Sequence, residues 1–234
     1  MSEIKFATIG TSKITKTFLS AASNVPEFKL EAVYSRNIKN AIEFGTPYNV
    51  TKFYDSLNTL AEDRTIDAVY IASPNAFHCS QTIQMMKAGK HVLCEKSLAS
   101  NKKEAEEMFR TAAENNVILL EAMRPVFDPG MDAVKANLNK LGVIRRATLN
   151  YCQYSSRYDS FLQGQEHNIF SRECSAGALM DIGTYCVHSL LCLFGKSQKI
   201  MGFSDMIRGN IDGAGTILAK YPNMIAEVEY SKIT

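Results

Sequence analysis

The chain has 234 residues, 46% of them hydrophobic, with a formal net charge of +2 and a pI of about 8.1. This near balance gives no bulk electrostatic case for nucleic acid or an anionic membrane, and the length suits one large domain or two ordinary ones. The six cysteines, at 79, 94, 152, 174, 186 and 192, form no CxxC pair and match no zinc spacing, so no metal site is expected and they read as reduced thiols of a cytoplasmic protein.

The amino terminus leads straight into a strand, which predicts no secretory leader. Ile4–Ile9 is that strand. Gly10-Thr11-Ser12-Lys13-Ile14-Thr15 follows, then a helix to about Ala22. A dinucleotide fingerprint places glycines here, so that a helix amino terminus can approach a pyrophosphate. Only the first glycine is present; Ser12 and Thr15 hold the other two positions. Taken alone, the segment reads as an ordinary strand-turn-helix. Ser12 still offers an N–H and a hydroxyl to a phosphate.

Phe28–Tyr34 predicts a second strand ending in Ser35-Arg36-Asn37. A carboxylate at this point would bind a ribose 2′-hydroxyl. A hydroxyl and a guanidinium suit a 2′-phosphate, so NADP is expected ahead of NAD. A short helix around Ala41–Phe44, a strand at Thr51–Tyr54 and a helix at Asp55–Ala61 come next. Asp67–Ile71 is a buried-type strand, broken by Ser73-Pro74-Asn75; a helix over Ala76–Ala88 is stopped by Gly89. His91–Cys94 is another strand, with Glu95-Lys96 at its carboxyl end, where ligands bind in an open α/β sheet. A helix over Asn101–Glu114 and a sixth strand at Val117–Leu120 complete an α/β pattern, a doubly wound parallel sheet over residues 1–122.

Glu121–Pro129 holds two prolines, and the domain boundary is expected near Met123. A helix from Asp128 to about Leu141 ends at Gly142, and Arg146–Tyr154 alternates like a strand exposed on one face. Ser155–Ser175 reads as a long polar loop with helical pieces. Ala176–Phe194 predicts a helix closed by Gly195; with Asp181 and His188 in it, the segment is too short and polar for a membrane span. Strands at Ile200–Ile207, Gly213–Lys220 and Met224–Ile233, with a Tyr221-Pro222-Asn223 turn, make residues 123–234 an α+β domain with a mostly antiparallel sheet. In the last strand Met224, Ala226, Val228 and Tyr230 alternate with polar or exposed positions. The chain stops within that pattern, so the sheet is expected to be incomplete and the chain truncated. Asp181 and Tyr185 share a helix face, and Gly177 and Gly183 allow close approach nearby. On spacing alone Tyr185 reads as a core tyrosine, Asp181 as a helix-terminus carboxylate and His188 as a packing residue.

The strand-GTSKIT-helix opening, SPNAFH at 73–78, AGKHVLCEKS at 88–97, MRPVFDP at 123–129 and AGALMDIGTYCVHSLLCLFG at 176–195 resemble the Gfo/Idh/MocA oxidoreductases over nearly the whole chain. The segment containing DIGTYC is most similar to the dihydrodiol dehydrogenase and D-xylose dehydrogenase branch. The resemblance implies an amino-terminal Rossmann domain, a carboxyl-terminal domain with a large open sheet that supports a homodimer, and a nicotinamide cofactor. It implies cofactor contacts at Gly10, Ser12, Lys13, Ile14, Ser35, Arg36, Ser73, Asn75, His78 and Glu95. It also implies Lys96 as the catalytic lysine, Asp181 as an active-site carboxylate and Tyr185 as the proton-transfer residue. Ser97 departs from the proline usual after Glu-Lys. The implied activity is hydride transfer between NADP, or NAD, and a sugar, polyol or similar small hydroxy compound. A non-catalytic dinucleotide-binding regulator or inactive remnant is the alternative, with NAD-dependent glycoside cleavage third.

Overall fold

The structure, a computed structural model, describes residues 3–234. The chain divides into two compact units, the first ending at Ala122 and the second beginning at Met123. Each is considered by itself. Among the described residues no helix is long and apolar enough to cross a membrane.

The first unit alternates strands and helices throughout. Its elements are β1 (Ile4–Ile9), α1 (Lys13–Ala22), β2 (Phe28–Tyr34), α2 (Ile38–Gly45), β3 (Lys52–Tyr54) and α3 (Leu57–Glu62). They continue with β4 (Ala68–Ile71), α4 (His78–Lys87), β5 (His91–Cys94), α5 (Lys102–Glu114) and β6 (Leu119–Glu121). Every pairing is parallel and the sheet order is β3-β2-β1-β4-β5-β6, the doubly wound order expected. All four residues of β4 are buried, because helices cover both faces of such a sheet. Side-chain alternation sorts the strand residues between two cores. Ala32 and Tyr34 join one with Ile9 and Ile71, whereas Val33 joins the other with Leu19 and Phe44.

Several boundaries differ from the sequence reading by one or two residues, and two of the shifts have a visible cause. The sixth strand starts at Leu119 because Asn116 turns with φ +53° and the Val117 N–H still closes helix α5 on Ala112. Helix α4 starts at His78, after a 3-10 turn over Asn75–Phe77.

A polar hub ties the turn before β4 to strand β3. Asp63 accepts from Lys52 Nζ at 3.0 Å, Tyr54 Oη at 2.7 Å and Thr65 Oγ1 at 2.7 Å. The Lys90 ammonium, 2% exposed, donates to the Asp63 and Ile66 carbonyls beside it. Burial pushes the Asp63 carboxyl up, but the Thr65, Tyr54 and Lys52 hydrogen bonds together hold it well below the ordinary carboxylate range. A carboxyl so depressed stabilises the fold above its unfolded pKa of about 4, and that contribution is lost as pH falls below it. Asp63→Ala is expected to lower unfolding free energy at neutral pH by about 2 kcal/mol, measured in urea, and to flatten the acid loss of stability.

The second unit contains α6 (Pro129–Asn137), β7 (Arg146–Cys152), α7 (Tyr158–Leu162), a π-helical turn (Leu179–Gly183), α8 (Thr184–Phe194), β8 (Lys199–Ile207), β9 (Ile211–Lys220) and β10 (Ile225–Ser231). The sheet order is β7-β10-β9-β8. Strands β8, β9 and β10 pair antiparallel and β7 joins β10 in parallel, so the sheet is mostly antiparallel as expected. Ala178, Ile182, Cys186 and Leu190 repeat every four residues and bury against Ala219, Ala226, Val228 and Tyr230. The close fit depends on Gly183, where a Cβ would lie 2.9 Å from the Tyr230 ring.

The stretch over residues 155–175 is less polar than its composition predicts. Phe161, Phe170 and Ile211 form a buried cluster joined by Tyr158, and the Arg208 guanidinium sits 4.4 Å from the Phe161 ring centroid. The expected helix over Ala176–Phe194 starts at Ala178 and runs unbroken to Phe194, its first turn, Leu179–Gly183, being π-helical and the rest α8.

Candidate functional site

Parallel strands deliver their carboxyl ends to one edge. The loops after β1, β2, β4 and β5 therefore bring Gly10–Ile14, Ser35–Arg36, Ser73–Asn75 and Glu95–Lys96 to one end of one sheet. The strand order reverses between β1 and β4, which is where an open sheet leaves a crevice.

Gly10 sits in that crevice with φ +108°, and a Cβ on it would lie 2.8 Å from the Ala72 carbonyl oxygen. The position needs glycine twice over: for the backbone angle, and for the approach to neighbouring backbone. Ser12 is the residue before α1, with φ −81° and ψ 176°, a conformation any residue adopts. Its hydroxyl makes no capping bond and the first turn of α1 carries no acidic residue. Thr15, at the third fingerprint position, is fully buried and donates its hydroxyl to the Gly10 carbonyl at 3.2 Å. The loop thus accommodates both departures from the glycine pattern. Ser12, Lys13, Ile14 and Arg36 are exposed, and Ser35 is half-buried. An uncapped helix terminus, a glycine cradle and a guanidinium at the next strand end fit a dinucleotide carrying a 2′-phosphate.

Ser73 donates its hydroxyl to Gln81 at 2.7 Å, and Asn75 lies half-buried in the 3-10 turn. His78 is 0% exposed, with Nδ1 2.8 Å from the Ser97 carbonyl and Nε2 2.8 Å from the Ser73 carbonyl. It joins two site loops from behind. Burial holds its pKa below the ordinary histidine value, against the two carbonyls and with Lys96 adding to the depression. Glu95 accepts from Tyr70 Oη at 2.5 Å, and Tyr70 in turn stacks on Phe18 at 3.9 Å. Burial raises the Glu95 carboxyl, opposed by the Tyr70 hydroxyl and the Lys96 charge. Lys96 is half-buried beside it and its peptide bond to Ser97 is cis. The Leu98 N–H that follows is fixed on Glu121 at 2.9 Å.

In the second unit Asp181 lies in the π turn and Tyr185 in the first turn of α8; both are half-buried. Single π turns inside helices recur at functional sites. The Tyr185 ring lies 5.9 Å from the Tyr151 ring. The Asp212 carboxylate accepts from the Leu179 N–H at 2.6 Å, a negative charge at the helix amino terminus. Gly177, at φ +111°, leaves the space that this carboxylate fills. Lys232 forms an ion pair with Asp181. His188 contacts Cys192 Sγ at 3.3 Å within its own helix, a packing role. Sequence reasoning missed Lys232, although the β10 alternation over Met224, Ala226, Val228 and Tyr230 puts position 232 on the buried face. Tyr70 and Asp212 were missed too. Among the described residues no cluster of His, Cys, Asp and Glu could hold a metal.

Comparison with known proteins identifies the family. Residues 4–123 match the family described as oxidoreductase family, NAD-binding Rossmann fold, and residues 136–234 match the GFO/IDH/MocA C-terminal domain. The chain is 45% identical over 231 residues to scyllo-inositol 2-dehydrogenase (NADP(+)) of Bacillus subtilis, covering 99% of this chain and 70% of the relative. It is 29% identical over 223 residues to the mouse trans-1,2-dihydrobenzene-1,2-diol dehydrogenase, covering 94% of this chain and 65% of that enzyme. A 3-ketoreductase from Actinomadura kijaniata, solved with NADP and TDP-benzene, superposes with a TM-score of 0.90 at 24% identity, covering 100% of this chain and 71% of that one. This last likeness is one of fold. The chain belongs to the Gfo/Idh/MocA oxidoreductases, with the family's NAD-binding Rossmann fold in its first unit and its C-terminal domain in its second.

Proposed function

We propose that the chain is an NADP-dependent dehydrogenase or reductase of a sugar or polyol. The observation that carries this is the placing of Ser35-Arg36 at the end of β2, directly beside the Gly10 turn at the end of β1. The Gly10 N–H itself bonds the Tyr34 carbonyl at 3.2 Å. The Bacillus relative is named for NADP and scyllo-inositol, which supports a cyclic polyol as the substrate class.

When bound, the nicotinamide supplies the hydride chemistry. The remaining work falls to the chain's own residues. The Gly10–Ile14 turn offers backbone N–H groups and the α1 terminus to the pyrophosphate. Ser35 and Arg36 hold the 2′-phosphate. Ser73, Asn75 and Glu95 line the adjoining loops, and His78 positions two of those loops instead of touching the cofactor. Lys96 provides positive charge for the substrate oxygen as it becomes anionic. Tyr185 exchanges the alcohol proton, and Asp181 orients the substrate. All six cysteines are free, in keeping with a reducing cytoplasmic setting. Strand β8 is a sheet edge whose Ile200 and Phe203 are 69% and 73% exposed, in keeping with a homodimer through this sheet.

Fluorescence titration tests the cofactor assignment. NADPH is expected to bind more tightly than NADH, and Arg36→Ala to weaken NADPH about tenfold or more while leaving NADH little changed. Equal wild-type affinities for the two would overturn the assignment.

A further inference from the structure

Lys232 is the most deeply placed charge of the second unit outside the roles assigned above. The residue is 7% exposed, and its side chain 9%. Its ammonium pairs with the Asp181 carboxylate and lies 5.9 Å from the Phe170 ring centroid. Its backbone is fixed on both sides: its N–H donates to Gly213 at 2.8 Å, and its carbonyl accepts from Ser155 at 2.9 Å. The Asp181 side chain, at 26% exposure, is the more open partner. Its backbone is held as well, by a 2.9 Å bond to the Gly177 carbonyl.

A surface ion pair contributes little, and a buried lysine is unfavourable unless a partner compensates it. Stability alone therefore gives weak grounds for an ammonium at this depth. The arrangement does fix a half-open carboxylate from its buried side. A carboxylate in such an ion pair is an acceptor-only group. We infer that Lys232 is a positioning residue: it sets Asp181 as an oriented anion that accepts a hydrogen bond from a substrate hydroxyl next to the reacting carbon. This rests on the reading of Asp181 as an active-site residue. It narrows the substrate class to compounds with a vicinal hydroxyl.

The test compares kcat/KM for scyllo-inositol and its monodeoxy analogue. The proteins are wild type, Lys232→Gln, Lys232→Arg, Asp181→Asn and the Lys232→Gln/Asp181→Asn double variant, each also titrated with NADPH. Wild type is expected to prefer the full polyol. Lys232→Gln should reduce that preference about tenfold or more, chiefly through KM, with NADPH affinity unchanged. Lys232→Arg should restore most of it, and Lys232→Gln should add little once Asp181 is asparagine. A merely structural lysine would instead lower the melting temperature and scale both substrates equally. If Asp181→Asn loses discrimination and a folded Lys232→Gln retains it, the inference about Lys232 is wrong. Should Lys232→Gln fail to fold, the Arg variant decides, because loss of discrimination in a folded Lys232→Arg that Asp181→Asn does not share overturns the role. A wild type that turns over neither compound, or an Asp181→Asn variant that turns over both normally, overturns the functional reading itself.

Discussion

Replacing Tyr185 with phenylalanine is expected to lower kcat by about 10²–10⁴-fold, the range over which a positioned proton-transfer group acts. The ring and its packing beside Tyr151 are kept, so the fold should survive. Lys96→Met should bring a comparable loss by removing the charge that steadies an alkoxide. NADPH titration should read near wild type for Tyr185→Phe, which separates a chemical defect from a binding one. Both variants need the same stopped-flow or steady-state assay with a polyol the wild type accepts. Normal turnover by Tyr185→Phe would remove that residue from the proton path.

Gly10→Ala carries the second large effect, and it acts on the fold and the cofactor together. The backbone there has φ +108°, and the added methyl would meet the Ala72 carbonyl at 2.8 Å. The obstacle is backbone in the strand-end crevice, not the flexible tip of a side chain, so relief requires moving β4 or the turn. The strained conformation and the overpacking each cost about 1–3 kcal/mol. The expected result is a clear fall in the urea midpoint and a loss of NADPH affinity of tenfold or more. Ser12→Gly is the useful companion. At φ −81° serine has no strain for glycine to relieve, so the swap should not tighten binding. If Gly10→Ala proved as stable as wild type and bound NADPH equally well, the crevice would not be the cofactor's phosphate site.

The first unit was legible because each signal was local. Short apolar β-branched runs, each followed by a turn and an amphipathic helix, leave few topologies once crossovers are right-handed. The end of that unit was less legible. Val117 is apolar and follows a helix, but it still belongs to the turn that closes α5, so β6 begins two residues later. In the second unit the strands were readable from alternation, and the π turn was not. Five residues are little more than one turn, too few for the apolar pattern to separate a π turn from an α-helix, so Leu179–Gly183 read as ordinary helix. The aromatic cluster of Tyr158, Phe161 and Phe170 was hidden among polar residues because its members meet only in three dimensions. Lys232 was hidden for another reason: a lysine near the end of a strand reads as solvated unless the parity of the strand is carried through to it. The site's residue types were therefore visible, while the partners that hold them, Tyr70, Asp212 and Lys232, were set by contacts distant in sequence.

The parallel pairing of β7 with β10 has a consequence for the order of assembly. Arg146 pairs with Ile225 and Cys152 with Ser231, across most of the unit's length. The first unit is built from successive strand-helix-strand steps, each closing a short loop. The second cannot pair β7 until β10 exists, and long-range closure of this kind is slow. The Asp181–Lys232 pair waits on the same event. In a chain emerging from the ribosome, the dinucleotide fold has its local contacts in hand early, whereas Asp181 acquires its setting only once β10 has been made.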